Sequence, residues 1–200
     1  MPADKYGVGP DKDWYSGSGV LVNLLGIEDG TALAEAEVAF TQLRLEQYDY
    51  PMLQEFSLQT WKNIHFYLFQ DVYVWAGELR SVDISKGMTR FATLSRIEPE
   101  ANKLFSALQQ ERYLVGLPRR QFVERAAYYF GELNVIHPFR EGNGRAQRLL
   151  FENLAIGAGY QFRWNLIDAS LWIPANEAAF YGRPQLLTDL FEQAVSEIPP

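Results

Sequence analysis

Apolar residues return at intervals of three and four along most of this chain, and that repeat restricts its fold more than any other feature. Leu33, Ala36, Phe40 and Leu43 form one stripe between about Thr31 and Gln47. Trp61, Ile64, His65, Leu68, Val72 and Trp75 form a second. Such spacing gathers side chains on one face of a helix, whereas a strand needs strict alternation. Prolines mark further helix starts, because their fixed φ suits a first turn. Pro99 precedes Ala101, Leu104, Phe105 and Leu108; Pro118 precedes Phe122, Ala126, Phe130 and Leu133; Pro184 precedes Leu187, Leu190, Phe191 and Val195. Another helix follows Gly144 with Leu149, Leu150 and Leu154, until Gly157 and Gly159 stop it. The segment from Asp168 to Phe180 reads as partly helical, disturbed by Pro174. Only residues 79–93, LRSVDISKGMTRFAT, break the rule. Val82 and Ile84 alternate before Lys86-Gly87, which reads as a short hairpin. The expected fold is all-α, a mostly helical single domain over residues 1–200 with one small β-hairpin flap. Residues 1–19, rich in Gly, Pro, Asp and Tyr, read as an irregular lead-in.

Composition narrows the function. There is no cysteine, so neither a disulfide framework nor a thiolate metal site can form. A net charge of −7 argues against a broad nucleic-acid footprint, which needs excess Lys and Arg on one face. A small anion held by a few local arginines is compatible with it. Residues 1–19 lack the apolar core of a signal peptide, and the early run GVLVNLLGI is too short to span a bilayer. The expectation is a cytoplasmic protein with no membrane partner and no direct nucleic-acid partner.

One stretch concentrates the chemistry: HPFREGNGRAQR, residues 137–148, which opens on one of only two histidines. Pro138 cannot continue a helix comfortably, so His137 should sit at a helix end. Gly142, Asn143 and Gly144 should turn the chain into the next helix. Glycine lets backbone adopt left-handed conformations and approach a ligand closely. The new helix presents unpaired N–H groups and the positive end of its dipole, which together make an anion site. Arg145 and Arg148 are three apart and share one side of that helix. Guanidinium forks match the oxygens of a di- or triphosphate. Glu141 supplies a hard oxygen ligand beside them, suited to magnesium, which takes one or two carboxylates plus phosphate oxygens and water. A histidine with an unperturbed pKa of about 6.5 is largely neutral at pH 7 and can accept a proton. Base, metal ligand, phosphate nest and arginines describe attack of a hydroxyl on a bound nucleotide. One carboxylate and one histidine argue against a protein-ligated zinc site.

Plainer roles compete at several positions. His65 lies on an apolar stripe and reads as a core histidine, with Trp61 and Trp75 as packing beside it. Glu35, Glu37 and Glu46 read as a solvated helix face. Arg148 and Glu152 are four apart and could form an ordinary surface pair.

The run His137-Pro138-Phe139-Arg140-Glu141-Gly142-Asn143-Gly144-Arg145-Ala146-Gln147-Arg148 resembles the signature of the Fic family, His-x-Phe-x-(Asp/Glu)-Gly-Asn-Gly-Arg-x-x-Arg, at every fixed position. HFYLFQDVYVWAGELRSVDISKG is similar to the family's segment before and within its flap, so the likeness covers roughly residues 60–160. The resemblance implies the Fic fold and transfer of AMP from ATP to a protein hydroxyl with Mg²⁺. It implies His137 as general base, Phe139 as the loop's anchor and Glu141 as metal ligand. Gly142, Asn143 and Gly144 would form the anion hole within an active-site loop over 137–145, and Arg145 and Arg148 would bind the outer phosphates. The flap around Ser85, Lys86 and Gly87 would border the nucleotide and align the target by strand pairing. Two branches of the family transfer phosphate or phosphocholine, so another phosphate-linked group remains an alternative. So does a nucleotide-binding regulatory module without transferase activity, although mere binding needs no base. Many members carry an inhibitory helix with (Ser/Thr)-x-x-x-Glu-(Gly/Asn). Glutamate precedes Gly or Asn only at Glu141 and Glu152, and neither fits. The chain thus resembles the branch restrained by a small helical antitoxin, some of whose members modify type II topoisomerases.

Overall fold

The computed structural model describes residues 13–87 and 89–199. The expected lead-in lies outside the described residues as far as residue 12. Among the described residues there are seven α-helices. α1 spans Gly30–Glu46, α2 Leu58–Phe69, α3 Leu94–Gln110, α4 Arg119–Ile136, α5 Asn143–Gly157, α6 Ala169–Phe180 and α7 Gln185–Ala194. Side-chain caps start three of them. Asp29 accepts from the Ala32 N–H, Ser57 from Thr60 and Asp168 from Ser170, each satisfying an N–H that the helix leaves open.

The core forms around α4. Its Phe122, Val123, Ala126, Ala127, Tyr129, Phe130, Leu133 and Ile136 are all buried, and the helix packs against α3, α5, α6 and α7. α5 lies against α2 and α4, and α2 also contacts α1. The stretch between α4 and α5 is therefore gripped on both sides by buried helices, and Phe139 within it is fully buried. Among the described residues no helix is long and apolar enough to cross a membrane.

Several elements differ from expectation. α1 forms where the pattern put it, but its buried residues are Leu33, Glu37 and Thr41, while Leu43 is exposed. Glu37 and Thr41 turn inward because a buried hydroxyl and a guanidinium meet them there. α2 ends at Phe69, although Val72 just beyond it is still buried. α3 begins five residues before Pro99, and α6 runs unbroken through Pro174. Each proline is the sixth residue of its helix, so the missing N–H removes only one bond, to a first-turn carbonyl.

The hairpin exists but is short. β1, Ser85–Lys86, pairs antiparallel with β2, Thr89–Arg90, in the register Ser85↔Arg90 and Lys86↔Thr89. A second β element was not anticipated. β3, Tyr160–Phe162, pairs antiparallel with β4, Val195–Glu197. It clips the chain's last described segment to the residues after α5.

Candidate active site

α4 ends at Ile136, and His137 takes a left-handed conformation, φ 48° and ψ 63°. That geometry is uncommon for a residue with a Cβ and needs surrounding contacts to hold it. Three contacts do so here. The ring stacks on Phe91 with centroids 3.8 Å apart. The His137 carbonyl accepts from Arg80 Nε at 2.9 Å. Nδ1 lies 3.2 Å from the Asn134 carbonyl, which can only accept. The neutral ring therefore carries its proton on Nδ1 and its lone pair on Nε2.

The loop beyond it is shaped from inside. The Asn143 side chain accepts from the Phe139 N–H at 2.8 Å and donates to the Phe139 carbonyl at 2.7 Å. Both ends of the amide are thus used to close the loop, which leaves only the backbone N–H of Asn143 for any other acceptor. Gly142 has φ +76°, and a Cβ there would lie 2.2 Å from the Phe69 ring. Only glycine fits. α5 starts at Asn143, two residues earlier than the pattern suggested, with Gly142 as its N-cap. Glycine brings no side chain to that helix end, so the first-turn N–H groups face outward. Gly144 has open space where a Cβ would stand.

His65 proves to be more than core filling. It is fully buried, with ring centroids 4.0 Å from Phe139 and 4.7 Å from Phe69. Nδ1 accepts from the Gly77 N–H at 2.8 Å, so Nε2 carries the proton and donates to the Glu141 carbonyl at 2.9 Å. Burial lowers its pKa to about 4 and keeps it neutral.

The flap is stitched to the loop. The Arg80 N–H donates to Pro138 O at 2.9 Å, and the Ala92 N–H to Val135 O at 3.0 Å. The buried Arg80 guanidinium also donates to the carbonyls of Val82, Ala92 and Ile136. Burial lowers its pKa, against the opposing pull of Asp83.

Two cavities flank the junction. One, of about 280 Å³, is lined by Lys86, Phe91, His137, Gly144, Trp172 and Asn176 among others. The other, of about 430 Å³, is lined by Leu33, Val38, Glu37, Glu141, Arg145 and Arg148 among others. The residues singled out in the sequence are spread over both, and a third, smaller cavity is lined by His137, Glu141 and Asn143 together. His137, Gly144 and Lys86 border the first cavity; Glu141, Arg145 and Arg148 border the second. Gly87 occupies the hairpin turn at φ +56° and is exposed. The helix start of α5 stands between the two. Trp172, Asn176 and Phe180 also wall the first cavity, outside the residues expected to form the site. Their spacing of four along α6 was the available signal.

The two arginines have different surroundings. Arg145 lies 2.5 Å from Glu37 Oε2, 3.8 Å from Glu141 Oε1 and 4.6 Å above the Phe69 ring. Glu37 is buried and also accepts from the Tyr73 hydroxyl, so it is not a solvated-face residue. The charge of Arg145 drew it inward. Arg148 Nε makes a long contact with the Gly144 carbonyl, 3.4 Å. Glu152 bonds Tyr50 and Trp164 instead, so the expected surface pair does not form. Among the described residues no carboxylate forms an ion pair with Arg148. Burial, then the neighbouring charge of Arg145, lowers its pKa, against the opposing pull of Glu152.

The donor set fits magnesium. Glu141 offers one carboxylate at the cavity edge, and among the described residues no group of three His, Asp or Glu forms a protein cage. A metal held by one carboxylate, phosphate oxygens and water needs no more.

Comparison with known proteins gives the family. A family model described as Fic/DOC family matches residues 55–155, half of the chain. The chain is 44% identical over 195 residues to a probable protein adenylyltransferase Fic of Salmonella typhimurium, covering 98% of this chain and 97% of that one. It is 40% identical to the protein adenylyltransferase VbhT of Bartonella schoenbuchensis, over 90% of this chain but 38% of that protein. Among solved structures, BepC of Bartonella tribocorum with bound AMPPNP superposes with a TM-score of 0.86 at 30% identity, covering 94% of this chain and 97% of that one. An N-terminal Fic domain from Bartonella quintana with bound ADP gives 0.86 at 31% identity, covering 92% and 94%.

Proposed function

This chain belongs to the Fic/DOC family, and on that premise we propose that it is a protein adenylyltransferase. The observation that carries the reading is the His137 tautomer. Its Nδ1 proton is committed to Asn134, so Nε2 is the basic atom beside a cavity large enough for a nucleoside. A binding module needs no such atom.

In this reading the adenosine occupies the cavity between the hairpin and α6. The triphosphate crosses the start of α5 toward Arg145 and Arg148. The hydroxyl of a target side chain bonds to the α-phosphorus, the α–β anhydride bond breaks, and pyrophosphate leaves. Nε2 of His137 takes the hydroxyl proton. The N–H groups of Asn143, Gly144 and Arg145 stabilise charge on the phosphate oxygens. Lys86 and the hairpin hold the target segment near the α-phosphorus. Glu141 would hold Mg²⁺, which supplies charge neutralisation at the phosphates. Arg148 takes the γ-phosphate.

The second cavity suggests restraint. Leu33, Val38 and Leu21 form an apolar wall that ends at Arg148. A small helical antitoxin carrying a glutamate fits that wall, with its carboxylate competing for Arg148. The chain would then be the toxin of a cytoplasmic pair, and a type II topoisomerase subunit is one target to test.

The test is incubation of the purified chain with labelled ATP, Mg²⁺ and a cell lysate. A labelled protein band is the expected result, and mass spectrometry of that band identifies the target. Nucleotide binding without any labelled protein would instead make the chain a regulatory module.

A further inference from the structure

The carbonyls of the loop between α4 and α5 are met by protein donors. Those of His137 and Pro138 accept from Arg80, that of Phe139 from Asn143 Nδ2 and that of Gly142 from the Ala146 N–H. The Glu141 carbonyl accepts from a different element, the His65 side chain on α2, at 2.9 Å. His65 is fully buried and stacks against both Phe139 and Phe69. Its Nδ1 accepts from the Gly77 N–H at 2.8 Å, so the hydrogen of the neutral ring stands on Nε2, facing Glu141.

This bond fixes the peptide between Glu141 and Gly142. In a trans peptide the N–H points away from the oxygen. With the oxygen held against His65, the Gly142 N–H faces the other way and donates to Glu141 Oε1 at 2.9 Å, on the cavity side of the loop. Gly142 has φ +76°, and glycine adopts the opposite sign of φ about as readily. The peptide can therefore turn over with little backbone strain. Turned over, its oxygen would stand beside the first-turn N–H groups of α5 and repel an anion drawn to them. Its N–H would also meet the Nε2 hydrogen, donor against donor. His65 thus favours one orientation and opposes the other, because the Gly77 N–H has fixed its tautomer.

We propose that His65 is a positioning residue that, through Nε2, holds the 141–142 peptide with its oxygen inward and so keeps the start of α5 receptive to phosphate. The inference rests on the reading of that helix start as the phosphate site. It concerns the peptide plane alone and makes no demand on the Glu141 carboxylate. It gives a role to a residue of α2, more than seventy positions before the loop.

The experiment separates the two bonds of the ring. His65→Asn places an amide where Nδ1 stands, so it can still accept from Gly77 but does not reach Glu141. His65→Gln places an amide nitrogen where Nε2 stands, so it can still donate to the Glu141 carbonyl. Both lose the stacked ring and one bond, and thermal melting should show similar losses of stability. Calorimetry gives the Kd of a non-hydrolysable ATP analogue and of adenosine, and their ratio reports what the phosphates add to binding. His65→Asn should cut that ratio by about tenfold, the scale of one hydrogen bond to a charged group. His65→Gln should keep the parent's ratio. If both variants lower it equally, His65 acts by packing alone and the inference is overturned. It is equally overturned if His65→Asn keeps the parent's ratio. A parent that binds the analogue no tighter than adenosine would instead remove the phosphate-site reading, and the inference with it. Should the amide variants not fold, His65→Phe keeps a stacked ring and removes both bonds. A fall in its ratio then supports the inference, and a parental ratio overturns it.

Discussion

The guanidinium of Arg80 lies beneath the hairpin and donates through Nε to the carbonyl oxygen of His137, 2.9 Å away. One buried side chain thereby joins the hairpin to the residue that carries the proposed base. Its other donors reach the carbonyls of Val82, Ala92 and Ile136, so the contact is part of a clamp and not an isolated bond.

Arg80→Met should therefore do two things. Buried carbonyls left without a donor cost about 1–3 kcal/mol each in desolvation, partly relieved by water, and the melting temperature should fall by several degrees. Transfer should fall further than stability does, because the His137 carbonyl loses the donor that ties it to the hairpin segment. A variant that melts lower yet keeps parental turnover at low temperature would separate the clamp from catalysis.

His137→Ala should abolish transfer while leaving binding of the ATP analogue nearly intact. Removing a general base costs about 10²–10⁴ in rate, and the imidazole acts on the incoming hydroxyl. Parental turnover in this variant would remove Nε2 from the mechanism.

Gly142→Ala forces a Cβ to within 2.2 Å of the Phe69 ring at a φ of +76°. Overpacking and left-handed strain together cost about 2–5 kcal/mol. For a chain of this size the melting temperature should drop by about 5–15 °C, as read by circular dichroism. An unchanged melting curve would mean that the loop does not sit against Phe69.

Arg148→Ala should weaken binding of the ATP analogue more than that of AMP, since only the former carries outer phosphates. A charge-assisted bond contributes about 1.5–3 kcal/mol, which corresponds to a tenfold or greater rise in Kd. Equal losses for both nucleotides would place Arg148 elsewhere.

His65 makes a pH prediction. Its folded pKa is about 4 against an ordinary 6.5, so below 6.5 the unfolded chain takes up a proton that the folded chain refuses. Its contribution to stability is fully present above pH 6.5 and is lost as the pH falls toward 4. The loss amounts to about 3 kcal/mol. Urea midpoints should decline between pH 6.5 and 4.5 in the parent and stay flatter in His65→Gln. A parent midpoint constant down to pH 5 would contradict the buried neutral ring.

The parts legible in sequence were those whose physics is local. His137, Pro138 and the glycines announce a helix end and a helix start within a few residues, and the helices follow from apolar spacing. Interactions between distant segments were not legible. Glu37 looks like one more acid on a soluble helix until Arg145, more than a hundred residues later, arrives beside it. The β3–β4 pair joins three-residue strands separated by α6 and α7, and neither strand is long enough to show a period. Arg80 sits in an ordinary-looking run after Ala76 and Gly77, and nothing nearby reveals the carbonyls that it gathers. His65 was placed in the core correctly, but its bond to the Glu141 carbonyl needed the folded chain.

The contact between Gly142 and Phe69 also restricts how such a chain can change over generations. A side chain at 142 is tolerable only after the ring at 69 has been cut back, and that first step opens a hole in a fully buried site, typically at 3–5 kcal/mol. That is a large share of the 5–15 kcal/mol by which a domain is ordinarily stable. The reverse order meets the steric clash first. Neither substitution is easily reached through the other, so the two positions should drift as a pair or stay as they are. Related chains with a residue other than glycine at the position matching 142 should then carry something smaller than phenylalanine at the position matching 69.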